Sequence, residues 1–438
     1  MKMMRKFALV MLLCMSFILM PIEIQADSDV YTDGCFRYRV ANEQAIVIEC
    51  TFATDTDLVI PAELGGYPVT TIGSSAFNQC NGLTSVHIPD GVISIGDGAF
   101  RQCTRLSSVY IPDSVVWIGK YAFLGCGSLS GSVLPNNILY VGDGAFTGCD
   151  KIWDGATVYD NAIYLGNDKN PHLILAYAND DDIRSCNIHP DTKVINDHAF
   201  FNCKNLTDIT MPEGLRSICS CAFWGCDSLT TVDIPESIEF VGENPFGECD
   251  NLQYNSYDNA LYLGNLKNPY LVLCEATANT IDSCEIQKDA KVISGQAFRA
   301  CKGLEDLTIP ADVTGIGPQA FFMCSKLQKV ILPCSLEILG EHAFNGCALD
   351  EVTYKGTQMQ WNKTCIILDN TNLLAARFFY MPLLVGTGNE SNEDSDNNNA
   401  GNEGSTVIVV ALSSVAAGGV GATVATRVLR KKKTKDNK

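Results

Sequence analysis

Histidine is scarce in this chain: His87, His172, His189, His198 and His342 are the only five among 438 residues. No G-x-S-x-G, H-E-x-x-H or P-loop pattern occurs, which removes the commonest routes to an activated nucleophile, a catalytic zinc or a cradled phosphate. No catalytic residue, metal site or cofactor is therefore expected. Basic side chains are also in short supply, 31 Lys and Arg against 50 Asp and Glu. Residues 27–426 alone carry 21 basic and 48 acidic side chains, a charge of about −27. Such a surface repels nucleic acid and anionic head groups, and it holds no basic cluster to track phosphates. Nucleic acid is excluded as a partner.

Charge is missing altogether from two stretches. Residues 7–20 are apolar, follow Lys2, Arg5 and Lys6, and lead to Ala26. That order is the form of a secretory signal, so residues 1–26 are expected to be a signal peptide. Residues 406–426 carry no charge and precede Arg427, Arg430, Lys431, Lys432 and Lys433. Residues 405–427 are accordingly expected to cross a membrane once, with 428–438 as a basic cytoplasmic tail and the remainder outside. The expected location is the cell membrane, single-pass type I, with an extracellular ectodomain. Residues 386–404 lack large apolar side chains and are rich in Asn, Glu, Asp, Gly and Ser. They are expected to form a disordered stalk.

Between these ends one phrase recurs. Phe77, Phe100, Phe123 and Phe146 lie 23 residues apart, as do Phe200, Phe223 and Phe246, then Phe298, Phe321 and Phe344. A cysteine follows each by three places, from Cys80 to Cys347. A fixed period in the range of roughly 20–29 residues marks a solenoid, in which each unit buries its apolar face against its neighbours. Within one unit Val86 and Ile88 alternate with Ser85 and His87, as in a strand with one buried face. Pro89 ends the strand, Gly96 permits close backbone approach, and Ala99, Phe100 and Cys103 turn the chain back.

Two segments break the period, at about 153–190 and 253–288. Each alternates apolar residues around an Asn/Gly/Pro turn and is expected to be a hairpin. Tyr159 and Tyr257, Cys186 and Cys284, and Phe200 and Phe298 are all offset by 98. A longer unit of hairpin plus three repeats is thus duplicated. Residues 27–58 are expected to form an N-terminal cap hairpin, and 354–385 a C-terminal cap with Trp361 over the last core layer. Pairing Val40 with Ala45 sets Cys35 opposite Cys50, a candidate disulfide in an exported protein.

The phrase resembles the BspA-type leucine-rich repeat family at Ile88-Pro89, Ile95-Gly96, Ala99-Phe100, Cys103 and their counterparts, over about residues 60–354. The resemblance implies an α/β, β-dominated, right-handed leucine-rich repeat solenoid of about ten 23-residue rungs over 59–353, to which the residues themselves add the two hairpin inserts and one transmembrane helix. It also implies a non-enzymatic surface protein that adheres to host matrix proteins or other microbes. Cys219 and Asn196 depart from the pattern at glycine positions, and Pro245 at an alanine position.

Ten of the chain's 20 cysteines occupy one repeat position and read as small buried apolar groups forming a ladder. Cys219, Cys221 and Cys226 form the only local group, without a zinc spacing. The outward strand positions vary while the core does not, which is how a repeat scaffold presents a binding surface. The candidate face is Ser85, His87, Ser108, Tyr110, Asp208, Thr210, Thr231, Asp233, Asp306, Thr308, Lys329 and Ile331, with the inserts as a rival. The expected partner is an extracellular protein or glycan. The alternative is a self-associating surface scaffold without a host ligand.

Overall fold

Each period of the phrase closes one coil. Ser85–His87 and Ser108–Tyr110 form short front strands paired in parallel, Val86 beside Val109 and both buried. The chain returns through two-residue back strands such as Ser94–Ile95 and Trp117–Ile118, also in parallel register. A Cβ added at Gly119 would sit 2.7 Å from the Asp97 nitrogen and 2.8 Å from the Gly96 carbonyl carbon. Successive coils approach more closely there than any side chain allows, which is why the phrase keeps glycine.

The computed structural model describes residues 22–23 and 29–381, except 42, 52–56, 132 and 367–369. The expected stalk, membrane span and basic tail lie outside these residues, as does the expected signal peptide apart from Ile22–Glu23. No helix among the described residues is long and apolar enough to cross a membrane.

Inside the coils the phenylalanine rings stack face to face. Centroid separations are 5.0, 5.3 and 5.5 Å from Phe77 to Phe146, 5.1 and 5.2 Å from Phe200 to Phe246, and 5.2 and 4.9 Å from Phe298 to Phe344. The cysteines line the same core. The Cys126 thiol donates to the Phe100 carbonyl at 3.1 Å, and Cys149, Cys226 and Cys324 repeat that bond to the phenylalanine 26 positions earlier. The repeat position therefore wants a small apolar group with one weak donor, which is cysteine.

The solenoid has about 14 turns rather than ten. Four turns lack the phenylalanine phrase: the back strands Gln44–Cys50, Ile174–Ala178, Val272–Ala276 and Cys365–Ile366 extend the same parallel stacking. The inserts are thus coils of the solenoid as well as hairpins. Leu175 pairs with Ile195, and Leu273 with Ile293, and both leucines are fully buried. Their inward alternation is enough to join the core without Gly, Ala or Phe at the repeat places.

Each insert nevertheless starts a new sheet and a new phenylalanine stack, dividing the solenoid into three modules. The outward residues of the back strands would face solvent in an isolated coil, yet they are buried between modules. Phe240 packs edge-on against Trp117 at 5.5 Å and Tyr140 at 5.8 Å. Ser217 Oγ donates to the Leu139 carbonyl at 2.6 Å, and Ser294 Oγ to the Gly242 carbonyl at 3.0 Å. Gly315 lies where any side chain would strike the Glu239 carbonyl. The backs of the coils are therefore consumed by packing.

At the entry, Phe36–Ala41 pairs antiparallel with Gln44–Cys50, Val40 opposite Ala45. A bulge then shifts the register, so Cys50 lies opposite Phe36 and not Cys35. The two sulfurs still come within 3.0 Å. We expect protein made under oxidising conditions to carry a Cys35–Cys50 cross-link, which peptide mapping without reduction would recover. Alkylation of both thiols before reduction would rule it out. At the exit Trp361 is buried against Tyr354 at 5.2 Å and Phe378 at 5.0 Å. The last strand, Arg377–Tyr380, pairs with Glu351–Lys355 on one side and with Ile22–Glu23 on the other.

Candidate binding face

With the backs of the coils buried, the front strands carry the accessible side chains in fixed rows. Strand alternation turns every second residue outward, and parallel register aligns these residues from coil to coil. The twelve candidate residues fall on three separate front surfaces, one per module.

In the first module Ser85 lies between Asp57 and Ser108, and His87 between Val59 and Tyr110. Ser85 Oγ donates to Asp57 Oδ1 at 2.7 Å, and the His87 and Tyr110 rings stack at 4.6 Å. In the second module Asp208 and Thr210 lie beside Ser185 and Asn187. Thr210 Oγ1 donates to Asn187 Oδ1 at 3.0 Å. Thr231 and Asp233 are exposed on a segment with no regular strand.

The third module is different. Asp306, Thr308, Lys329 and Ile331 line one groove of about 970 Å³. The register continues one way into Glu351 and Thr353, which complete the floor. One row runs Asp306, Lys329, Glu351, Arg377, alternating in sign across four neighbouring strands. The adjacent row runs Thr308, Ile331, Thr353, Phe379. Neighbouring strands stand about 4.8 Å apart, so the charges recur at that spacing. Asp258, Glu285 and Lys288 rise at the other end. Four carboxylates thus face two ammonium groups, and the groove is acidic as a whole.

Sequence reading missed Glu351 and Thr353 because the final coil is one residue short. Glu351 stands 22 residues beyond Lys329, where the period is 23. The continued alternation of Val352 and Tyr354, both buried, is the signal that would have found them. Cys219, Cys221 and Cys226 do not converge: Cys219 is sealed at a module junction, where burial pushes its thiol pKa up, and Cys226 belongs to the ladder. Among the described residues no three His, Cys, Asp or Glu side chains form a metal-binding group.

A family model described as a BspA type leucine-rich repeat region matches the chain in six copies, over residues 60–167, 175–265 and 276–370. Among solved structures, a leucine rich cell surface protein from Faecalibacterium prausnitzii is 24% identical, covering 78% of this chain and 99% of its own, with a TM-score of 0.29. A leucine-rich repeat protein from Bacteroides ovatus is 22% identical, covering 80% and 99%, with a TM-score of 0.28. A third, from Bacteroides capillosus, is 32% identical over 27% of this chain and 89% of its own, with a TM-score of 0.25. No curated protein matches the chain.

Proposed function

The chain belongs to the BspA-type leucine-rich repeat family, and on that premise we propose that it is a membrane-anchored adhesion protein of the cell surface. It binds an extracellular protein partner through the front groove of its third module. The observation that carries this reading is the groove itself, where rows of alternating charge and of Thr, Ile, Thr, Phe lie side by side across the strands. An extended segment rich in Lys or Arg complements the excess of carboxylate, and its apolar residues meet Ile331. Anchoring rests on the uncharged residues 406–426 and the basic residues that follow. The work is binding, not catalysis.

Biolayer interferometry of the full-length chain against purified extracellular matrix proteins tests the reading. We expect saturable binding to at least one, weakened by tenfold or more in Asp306→Lys and in Glu351→Lys, and reduced by added salt. Binding that survives both charge reversals, or self-association as the sole interaction, would overturn it in favour of a surface scaffold.

A further inference from the structure

The junction between the first two modules holds a second site. A cavity of about 250 Å³ opens where the first insert joins the fourth regular coil, lined by Thr147, Trp153, Tyr177, Asn196, Asp197 and His198 over an apolar floor. Trp153 is held in place: its indole N–H donates to the Phe146 carbonyl at 3.3 Å, and its ring meets that of Tyr177 at 5.6 Å. The two rings form an aromatic wall, and Tyr177 is 44% exposed at its rim.

Asn196 stands where regular coils carry glycine. The coil before it is the insert strand Ile174–Ala178 rather than a regular coil, and Asn196 N still donates to the Leu175 carbonyl at 3.0 Å. The position thus accepts a side chain. Asn196 Oδ1 is buried and has no hydrogen-bond partner among the described residues. A sealed acceptor without a donor is costly, on the order of 1–3 kcal/mol, and marks a place where something else supplies an N–H or O–H.

The duplicated junction provides an internal comparison. There a cavity of about 240 Å³ lies among Phe246, Glu248, Asp250, Tyr254 and Glu275. Glu275 takes the place of Tyr177, and Ser294 that of Asn196, each 98 residues on. Ser294 is satisfied by the Gly242 carbonyl, so this second junction leaves no orphaned group at that position. The aromatic wall and the unmet acceptor are peculiar to the first junction.

We propose that the first junction binds a single neutral sugar ring. An apolar ligand would leave Asn196 Oδ1 unmet. An anion would face Asp197 and the Asp143 carboxylate, which lies 4.0 Å from His198. A cation would find both carboxylates engaged: the Asp197 oxygens accept from Tyr140 and from Ser220 N, and Asp143 accepts from the Tyr121 hydroxyl and stands beside His198. A pyranose presents an apolar face to Trp153 and Tyr177 and hydroxyl donors to Asn196 and His198. The volume lies below the range of about 300–1,000 Å³ typical of drug-sized ligands, which suits one ring.

Saturation-transfer NMR on the full-length chain, with methyl glycosides of glucose, galactose, mannose and N-acetylglucosamine, tests the site. We expect saturable transfer from at least one. Tyr177→Glu and Asn196→Ser should each weaken it tenfold or more; both import the residue of the second junction, so the fold has a precedent for them. Lys329→Glu, on the front groove, should leave it unchanged. No saturable transfer from any of the four, or transfer undiminished in both junction variants, would overturn the proposal and leave the cavity to water.

Discussion

Phe123→Ala lowers the free energy of unfolding by about 3–5 kcal/mol, the range for removing a buried aromatic from a core that cannot collapse around the gap. Phe123 is fully buried and sits inside a four-ring stack, 5.3 Å from Phe100 and 5.5 Å from Phe146. Its loss removes two ring contacts, each worth about 0.5–1.5 kcal/mol beyond area burial. The coils on either side are tied to their neighbours by backbone bonds, such as Phe123 N to the Ala145 carbonyl at 2.8 Å, and cannot slide together. Phe146→Ala is expected to cost less, because Phe146 ends its stack and has one ring partner among the described residues. Urea unfolding followed by circular dichroism measures both. Equal losses, or a Phe123→Ala loss under about 1 kcal/mol, would refute the stack as a continuous stabilising spine.

Stability also falls as pH rises from about 4 to about 7, and Asp197→Asn abolishes that slope. Asp197 lies at the junction of the first two modules, where burial pushes its pKa up to about 7 against hydrogen bonds from Tyr140 and Ser220 and the charge of Lys120. Asp143, Glu243, Cys219, Cys221 and His198 also face this region. The unfolded carboxyl titrates near 3.8. Between the two values the native state holds the proton and the unfolded state does not, so folding takes up a proton and weakens as pH rises. The contribution is fully present below the unfolded value and lost by the folded one, on the order of 1.4 kcal/mol per pH unit within that window. Asparagine reproduces the protonated form: its carbonyl accepts from Ser220 N and its amide donates to the Tyr140 hydroxyl. Thermal unfolding from pH 4 to 8 for both proteins provides the measurement. Parallel curves would show that another group sets the dependence.

The solenoid itself was legible because its signal is local and repeated. Phenylalanine, glycine and cysteine recur at one spacing since each coil meets nearly the same surroundings, and the family resemblance follows from those residues. The two inserts were legible as duplicated hairpins but not as coils, because Leu175 and Leu273 join the core through strand register alone. Register errors have the same origin. A single bulge beside Arg37 moves Cys50 opposite Phe36, and alternation by itself does not report an extra residue on one strand. Of the twelve front-face residues, the outward direction followed from alternation, but their division among three surfaces did not.

The sequence alone determined the coil, its buried spine, the acidic surface and the expectation of a surface-exposed protein. These depend on contacts within a coil or between neighbours one period apart, which composition and spacing record directly. Only the tertiary structure decided which outward residues are accessible. Trp117, Tyr140, Ser217 and Phe240 occupy outward positions, as His87 and Lys329 do, yet the modules pack through the first set and leave the second free. That choice depends on contacts between residues up to about 120 positions apart, for which a 23-residue period carries no record.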